Sequence, residues 1–461
     1  MSRILLWHGY LLAGSGSNIY TANTARVWRA AGHDVLLLCQ ERKAQEHDFV
    51  DAAGDFAPDN TGFDVVATRK PAASGRCRVA RPAIGDLLPV YVYDDYEGFI
   101  VKRFVDLTDS ELDAYTRANV EALVAATREH APEALIVGHE VMGPFVARQA
   151  RARTAVGYLA KLHGSALEYA VKLQERYRAY AAEGLGAAGV VVGGSAYMIE
   201  EASSVVPGWR ARATVVNPGC DVELFRPRDR LARGELVVGF VGKLIAAKGV
   251  HNLIAALGLT QVPGLRAEVV GYGDFEGQLR DLVEALGNGD GRRAEALVRA
   301  PGFTSELSAF LEAQRHTPAY WRRARSVPMA FRGRLDHGPL SVVLPTFDLL
   351  VVPSVVPEAF GMVAVEAAAC GVLPVVPRHS GVGEVGAILE AELEAPGLLT
   401  YDPSRPIEGI AAAIDRVLSL DPSTRHALER KAARLARARW SWERVAERLL
   451  ELGRTAAART G

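Results

Sequence analysis

The 461 residues hold about three average domains' worth of chain, or two large ones. With 49% hydrophobic and 23% charged residues the balance is globular, which excludes wholesale disorder. Lys plus Arg total 53 against 54 for Asp plus Glu, a formal charge of −1 that gives no electrostatic ground for general nucleic-acid or anionic-membrane binding.

Arg3 leads straight into a short apolar run, Ile4–Trp7, without the longer hydrophobic region and small-residue cleavage site of a signal peptide, so the run reads as a buried strand. A glycine-rich turn, Gly14–Asn18, separates it from a helical segment at Tyr20–Ala31, and a second strand is expected at Asp34–Cys39. Asp51 to Asp106 has little helical period and reads as extended hairpins or loops on one rim. Within it, Asp94-Asp95 is a solvated loop pair rather than a metal site. A helix follows at Asp109–His130, with about as much acid as base and hence no basic amphipathic face for a lipid surface. Strands are then expected at Ala134–Val137, Thr154–Leu162 and Gly189–Val192, with a helix at Ala166–Ala182. Asn217–Gly234 is rich in Pro, Gly and charge, as an exposed connector is.

The second half repeats the alternation. Strands are expected at Leu236–Val241, Arg266–Val270, Met329–Arg332, Leu349–Val352, Val372–Val376 and Leu398–Tyr401. Helices are expected at Val250–Leu257, Glu276–Leu286, Met362–Ala369, Ile407–Ser419 and Ser423–Arg439. Asn288–Val327 is an Arg-rich insert that reads as a solvated helical surface, with an acceptor or partner contact as the other reading. The most apolar long stretch, Leu340–Pro377, is broken by Asp348, Glu358, Glu366 and several prolines, so it cannot cross a bilayer as one helix. The four cysteines, Cys39, Cys77, Cys220 and Cys370, form no C-x-x-C pair, which argues against zinc or a disulfide framework and fits a reducing cytoplasm.

The most informative stretch is PSVVPEAFGMVAVEAAACG, from Pro353 to Gly371. A strand ends, a loop carries Glu358, and Gly361 opens a helix containing Glu366. In an open α/β sheet this loop lies at the carboxyl edge, where ligands bind. Amides at Gly361, Met362 and Val363 form the positive end of that helix, suited to anionic or hydroxyl-rich ligands. The two glutamates are about 10 Å apart at helical rise, enough for one to meet a sugar and the other a ribose with a diphosphate between. The plain alternative is a pair of exposed helix-end acids. In VGFVGKLIAAKGV, Lys243 and Lys248 occupy the turn after another buried strand. They are either solvated lysines or two cations that neutralise a diphosphate leaving group. Gly271 and Gly273 in VVGYGDF, and Gly333 with Arg334 in FRGRL, close two further strands where a backbone can approach a ligand.

Together these motifs resemble the donor-binding half of family 4 GT-B glycosyltransferases, and GSGSNIYTANTARVWRAAGHDV, KLHGSALEY and NPGCDVELFRP resemble the first half more loosely. The resemblance implies an α/β fold of two Rossmann-like domains facing across a closing cleft. An acceptor-binding domain is expected over 1–218 and a donor-binding domain over 219–437. A C-terminal helix at 438–461, with Trp440 and Trp442 in a packing role, is expected to cross back to the first domain. It further implies a retaining, metal-independent hexosyl transfer in which a leaving-phosphate oxygen accepts the acceptor's proton. The donor expected is a nucleotide diphosphate sugar, UDP-linked first and GDP-mannose second, with a saccharide or small-molecule acceptor and no separate cofactor. By position, Glu358 and His163 are matched to catalysis and the donor sugar, together with Phe360 and Gly361. Gly16, Lys243, Lys248, Met362 and Val363 are matched to the diphosphate. Glu366, Gly271, Gly333, Arg334 and Leu335 are matched to the ribose and base. Two departures stand out: Lys243 replaces the family's usual arginine, leaving a point charge instead of a fork, and Gly16-Ser17 replaces a Gly-Gly pair. His8 and His139, also near strand ends, read as structural histidines with an acceptor-side role as the alternative. A sugar-nucleotide epimerase of the same build and a non-catalytic nucleotide-sugar-binding protein are the competing readings. A nicotinamide dehydrogenase is not, because Ile19 stands where the third glycine of its fingerprint belongs. Neither the nucleotide, the acceptor nor the oligomeric state is encoded in these motifs.

Overall fold

Parallel β-α-β construction dominates both halves of the computed structural model, which describes residues 1–69, 74–228 and 234–459. Contacts divide these residues into two units, one of Met1–Gly219 with Trp442–Gly461 and one of Cys220–Ser441. Residues 229–233 of the expected connector lie outside the described residues.

The first unit contains β1 (Arg3–Trp7), α1 (Gly16–Ala30), β2 (Asp34–Leu38), β3 (Ala52–Phe56), β4 (Phe63–Thr68), β5 (Arg76–Arg81), β6 (Leu87–Val90) and β7 (Ile100–Arg103). It continues through α2 (Asp109–His130), β8 (Ala134–Gly138), α3 (Gly143–Thr154), β9 (Leu159–Lys161), α4 (Glu175–Ala187), β10 (Val190–Gly193), α5 (Ala196–Val205) and β11 (Ala213–Val215). Nine strands make one sheet in the order β11-β10-β9-β8-β1-β2-β5-β3-β4. All pairs are parallel except β3 with β4, so the carboxyl ends of β9, β8 and β1 gather on one edge. Such a sheet is covered on both faces, and accordingly Ile4, Leu5, Val35 and Leu36 are fully buried.

The second unit contains β12 (Leu236–Val241), α6 (Val250–Leu257), β13 (Leu265–Val270), α7 (Glu276–Asn288), α8 (Gly291–Leu297), α9 (Ser305–Gln314), α10 (Pro318–Ser326), β14 (Met329–Gly333), α11 (His337–Val343) and β15 (Leu349–Val351). After these come α12 (Met362–Ala369), β16 (Pro374–Pro377), α13 (Ser380–Leu393), β17 (Thr400–Tyr401), α14 (Pro406–Leu418) and α15 (Pro422–Trp440). The sheet order is β14-β13-β12-β15-β16-β17, parallel throughout. Chain order reverses between β12 and β15, and that switch point is where open α/β sheets hold ligands. The last helix, α16 (Trp442–Ala458), belongs to the first unit from Trp442 on, four residues after the 438 expected. There Trp28 Nε1 donates to the Ala446 carbonyl at 2.8 Å, and the Tyr20 and Trp442 rings meet edge to face at 5.4 Å.

Three expectations need correction. The segment at 51–106, of which 70–73 lie outside the described residues, does hold an extended hairpin, β3–β4, with β4 at the sheet's edge, but it is not confined to a rim: β3 and β5 lie inside the main sheet, with Cys77 and Val79 buried. Polar residues disguised it, because Asp51 is buried in a 2.7 Å ion pair with Arg29 and receives the Cys77 amide. The strand expected at Thr154–Leu162 is only β9, since α3 runs to Thr154, whose hydroxyl donates back to the Ala150 carbonyl. The helix expected at Ala166–Ala182 is a π-turn over Leu167–Val171 followed by α4. Between them Gln174 is extended, and its side chain donates to the Val105 carbonyl at 2.8 Å.

Candidate functional site

In the second unit, the loop after β12 and the loop after β15 cross the switch point together. Lys248 Nζ donates to Glu358 Oε1 at 2.8 Å, and the Val355 amide donates to the Ala247 carbonyl at 3.0 Å. Gly249, in a left-handed conformation, is packed so closely on the Pro353 carbonyl that a β-carbon would collide with it. Glu358 is held from three further directions: by the Ser354 hydroxyl on the same carboxylate oxygen, by Ser380 Oγ accepting its amide at 3.0 Å, and by its carbonyl accepting from Gly381 at 2.8 Å. The carboxylate is mostly buried, the ammonium about one-third exposed, and two of the ammonium's three protons remain available.

From Glu358 the chain turns at Gly361 into α12, whose first-turn amides, Met362 and Val363, have no acceptor within the helix. Gly361 has φ +106°, and a β-carbon there would stand 2.7 Å from Val382 Cγ2. Gly361→Ala should therefore lower stability by about 1–3 kcal/mol. Thermal melts check it. Phe360 is buried with its ring 6.4 Å from Trp440, a packing position for its side chain.

Glu366, farther along α12, is buried, 4.0 Å from His337 Nε2. Beside the switch point, the Gly271 amide donates to the Gly333 carbonyl at 2.9 Å, which joins the ends of β13 and β14. Arg334 lies exposed over the Tyr272 ring at 5.3 Å and pairs with Asp336 at 3.3 Å; Leu335 is half-buried. Lys243 is exposed and makes no ion pair among the described residues. Of the residues expected here, then, Lys248, Glu358 and Gly361 to Val363 form one continuous surface, and Lys243 stands apart from it with its charge unpartnered.

The first unit gathers its own group at the ends of β1, β8 and β9. The His139 and His163 rings are 4.8 Å apart, His8 and His139 5.7 Å, and Tyr20 and His163 5.4 Å. His8 Nε2 is bonded to Asn18 Oδ1 at 2.8 Å, which ties β1 to the first turn of α1. That turn begins at Ser15, whose hydroxyl accepts the Asn18 amide; Gly16 follows it, exposed, with open space around its α-carbon. His163 is half-buried, and its amide and that of Gly164 both donate to Glu140 Oε1, at 3.1 and 2.7 Å. Burial, then the neighbouring His139 and Lys161, hold His163 below its ordinary pKa, so it offers a neutral imidazole. Burial likewise brings Lys161 down to about 7, against the pull of Glu140. His139 is buried with both ring nitrogens lacking partners.

Comparison with known proteins follows this division. Residues 15–219 match the glycosyl transferase 4-like domain model, and residues 329–435 match the model for glycosyl transferases group 1. Both matches are glycosyltransferase models, one in each unit, and the fold is the GT-B fold. It is similar to the D-inositol 3-phosphate glycosyltransferase of Mycobacterium marinum, 30% identical over 253 residues that cover 52% of this chain and 44% of that protein. The Mycobacterium bovis (strain BCG) enzyme of the same name is 31% identical over 248 residues, covering 52% and 43%. The match thus spans less than half the length of these relatives. Among solved structures, sucrose-phosphate synthase from Thermosynechococcus elongatus superposes with a TM-score of 0.61 at 20% identity, covering 98% of each chain. Anabaena HepE in complex with UDP does so at 0.60 and 16%, covering 97% and 98%.

Several residues that shape this GT-B chain's two clusters escaped sequence reading. Ser354 and Ser380 fix Glu358, and Glu140, Asn18 and Lys161 surround the first-unit histidines. Ser380 and Glu140 meet their partners from other strand ends, whereas Ser354 reaches Glu358 within one loop, four residues away, a contact that no motif marked. Glu366 carries a pH signature that the spacing also hid: burial pushes its carboxyl up to about 7 from an ordinary 4.5. Its folded-state pKa being the higher, the stability it contributes is complete below about pH 4.5 and is lost as pH rises through about 7. Glu366→Gln should therefore gain on the wild type between about pH 5 and pH 8, by up to roughly 3 kcal/mol. Thermal melts across that window check it; a constant difference contradicts the buried acid.

Proposed function

We propose that this glycosyltransferase moves a hexosyl unit from a nucleotide diphosphate sugar to a hydroxyl of a saccharide or small-molecule acceptor, with retention and without a metal ion. The observation that carries the reading is the Lys248–Glu358 contact at the β12/β15 switch point, directly before the open first turn of α12. A cleaving glycosyl phosphate develops negative charge on the diphosphate and positive charge on the anomeric carbon. The Lys248 ammonium and the Met362 and Val363 amides meet the first, pre-aligned and free of solvent reorganisation. Lys243, exposed and unpaired among the described residues on the same β12–α6 loop as Lys248, adds a second positive charge as the nucleotide approaches. Glu358, with its carboxylate already fixed, accepts from the sugar hydroxyls. Glu366 accepts from the ribose. Arg334, Leu335 and the joined Gly271–Gly333 backbone form the shelf for the base. In the first unit, His163 offers a neutral imidazole on the Glu140-anchored loop, a group suited to sugar hydroxyls, and Gly16 opens the first turn of α1, suited to an anion or an acceptor.

UDP-sugars are the first donors to test, because the solved neighbours include HepE with UDP-glucose and a trehalose-6-phosphate protein with UDP-2-fluoro glucose; GDP-mannose is the second. As the resemblance to family 4 GT-B enzymes implies, the acceptor hydroxyl attacks from the face that the diphosphate leaves, and a leaving-phosphate oxygen takes its proton. The test uses anomerically labelled UDP-glucose and GDP-mannose with a panel of saccharides. Transfer with the donor's anomeric configuration kept, and undiminished by EDTA, supports the reading. An inverted product, loss of turnover in EDTA, or an epimerised donor overturns it.

A further inference from the structure

Behind the loop that carries Glu358 lies a cavity of about 360 Å³, within the range of small-molecule sites. Its walls come from the first turns of α6, α9 and α14 and from the loops after β15, β16 and β17; α12 contributes none of its lining. The Asn288–Val327 insert builds one wall. Phe303 packs on His251 and Phe275, and this seats Thr304, which caps α9, and Glu306 over the opening. The residue that asks for an occupant is Asn252. It lines the cavity, is fully buried, and neither its amide nitrogen nor its carbonyl oxygen has a hydrogen-bond partner. A buried side-chain amide left with both functions unmet costs stability, and native proteins meet such groups with water or ligand.

We infer that this cavity is a second binding site, for a neutral, monosaccharide-sized polyol, separate from the nucleotide site. The lining chemistry selects that class. Around Asn252 stand the Thr304 and Ser354 hydroxyls, the Tyr401 phenol and the His379 imidazole, donors and acceptors without net charge, with Pro403 offering an apolar face. Among the described residues no Lys or Arg lines the cavity, and Glu306 does, so a phosphate or carboxylate ligand is disfavoured. The occupant would also bear on Glu358: Ser354 donates to its carboxylate, and His379 is bonded at 2.9 Å to Ser380, whose hydroxyl accepts the Glu358 amide. This coupling rests on the function proposed above; the binding does not.

The test titrates the full chain with D-glucose and D-mannose by ligand-observed NMR, with and without saturating UDP. Saturable binding that persists with UDP present, and that weakens about tenfold or more in both Asn252→Leu and Ser404→Trp, supports the site. Asn252→Leu is close in volume and removes the unmet amide, and Ser404→Trp blocks the exposed mouth without touching the core. Absence of saturable binding at about 20 mM sugar, where a millimolar site is nearly full, overturns it. So does binding that both variants leave unchanged. Sugar binding that UDP-glucose displaces and Glu358→Gln abolishes also overturns it, by locating the sugar at the transfer site.

Discussion

Lys248→Ala should lower turnover about 10²–10³-fold, the scale seen when one pre-organised charge stabiliser is removed, and should weaken nucleoside diphosphate binding in parallel. Two effects add. The diphosphate loses the ammonium that is already aligned at the switch point, and Glu358, mostly buried, loses its 2.8 Å countercharge. Truncating one partner of such a pair leaves the other charge uncompensated, so part of the loss will appear as lower stability. Lys248→Arg separates the terms. It retains charge but not the compact point contact, and should recover stability more fully than turnover. Calorimetric titration with UDP and steady-state rates with a UDP-sugar read both; unchanged nucleotide affinity in the alanine variant would remove Lys248 from the diphosphate site.

Glu358→Ala should divide differently, with turnover falling about 10²-fold or more while affinity for free nucleoside diphosphate stays within a few-fold of wild type. On the proposed function Glu358 meets the sugar, whose charge and shape change as the bond breaks, whereas the free nucleotide has no sugar to meet it. Glu366→Ala should show the reverse, with nucleotide and donor affinity falling alike. Because the Glu366 carboxyl titrates at about 7, nucleotide affinity in the wild type should climb as pH rises through that value and the ionised acceptor becomes the main form. If Glu358→Ala loses nucleotide binding and Glu366→Ala loses only turnover, the two assignments are exchanged.

The donor half was more legible in the sequence than the other half, for a physical reason. β12 is a continuous apolar run, and α6 and α12 open directly after Gly249 and Gly361, so Leu236–Val241, Val250–Leu257 and Met362–Ala369 could be bounded to the residue. In the first half, β3 and β5 carry Asp55, Arg76, Arg78 and Arg81 within the main sheet, and that charge masked buried strands. Motif spacing placed Lys248 and Glu358 at two strand ends, but their meeting depends on β12 and β15 being neighbours, which only the sheet order supplies. The same holds for His8, His139 and His163, whose strands are separated in sequence and adjacent in space. Lys161 was passed over because nothing local distinguishes a buried lysine from a solvated one.

The central claim is that a nucleotide diphosphate sugar seats its diphosphate against Lys248 and the first turn of α12. Hydrogen exchange of the full chain, with and without saturating UDP, tests it by location. Slowed exchange concentrated in the segments 242–250 and 358–364 is the predicted result. Stabilisation by UDP with no protection in either segment, or protection confined to other parts of the chain, would contradict it.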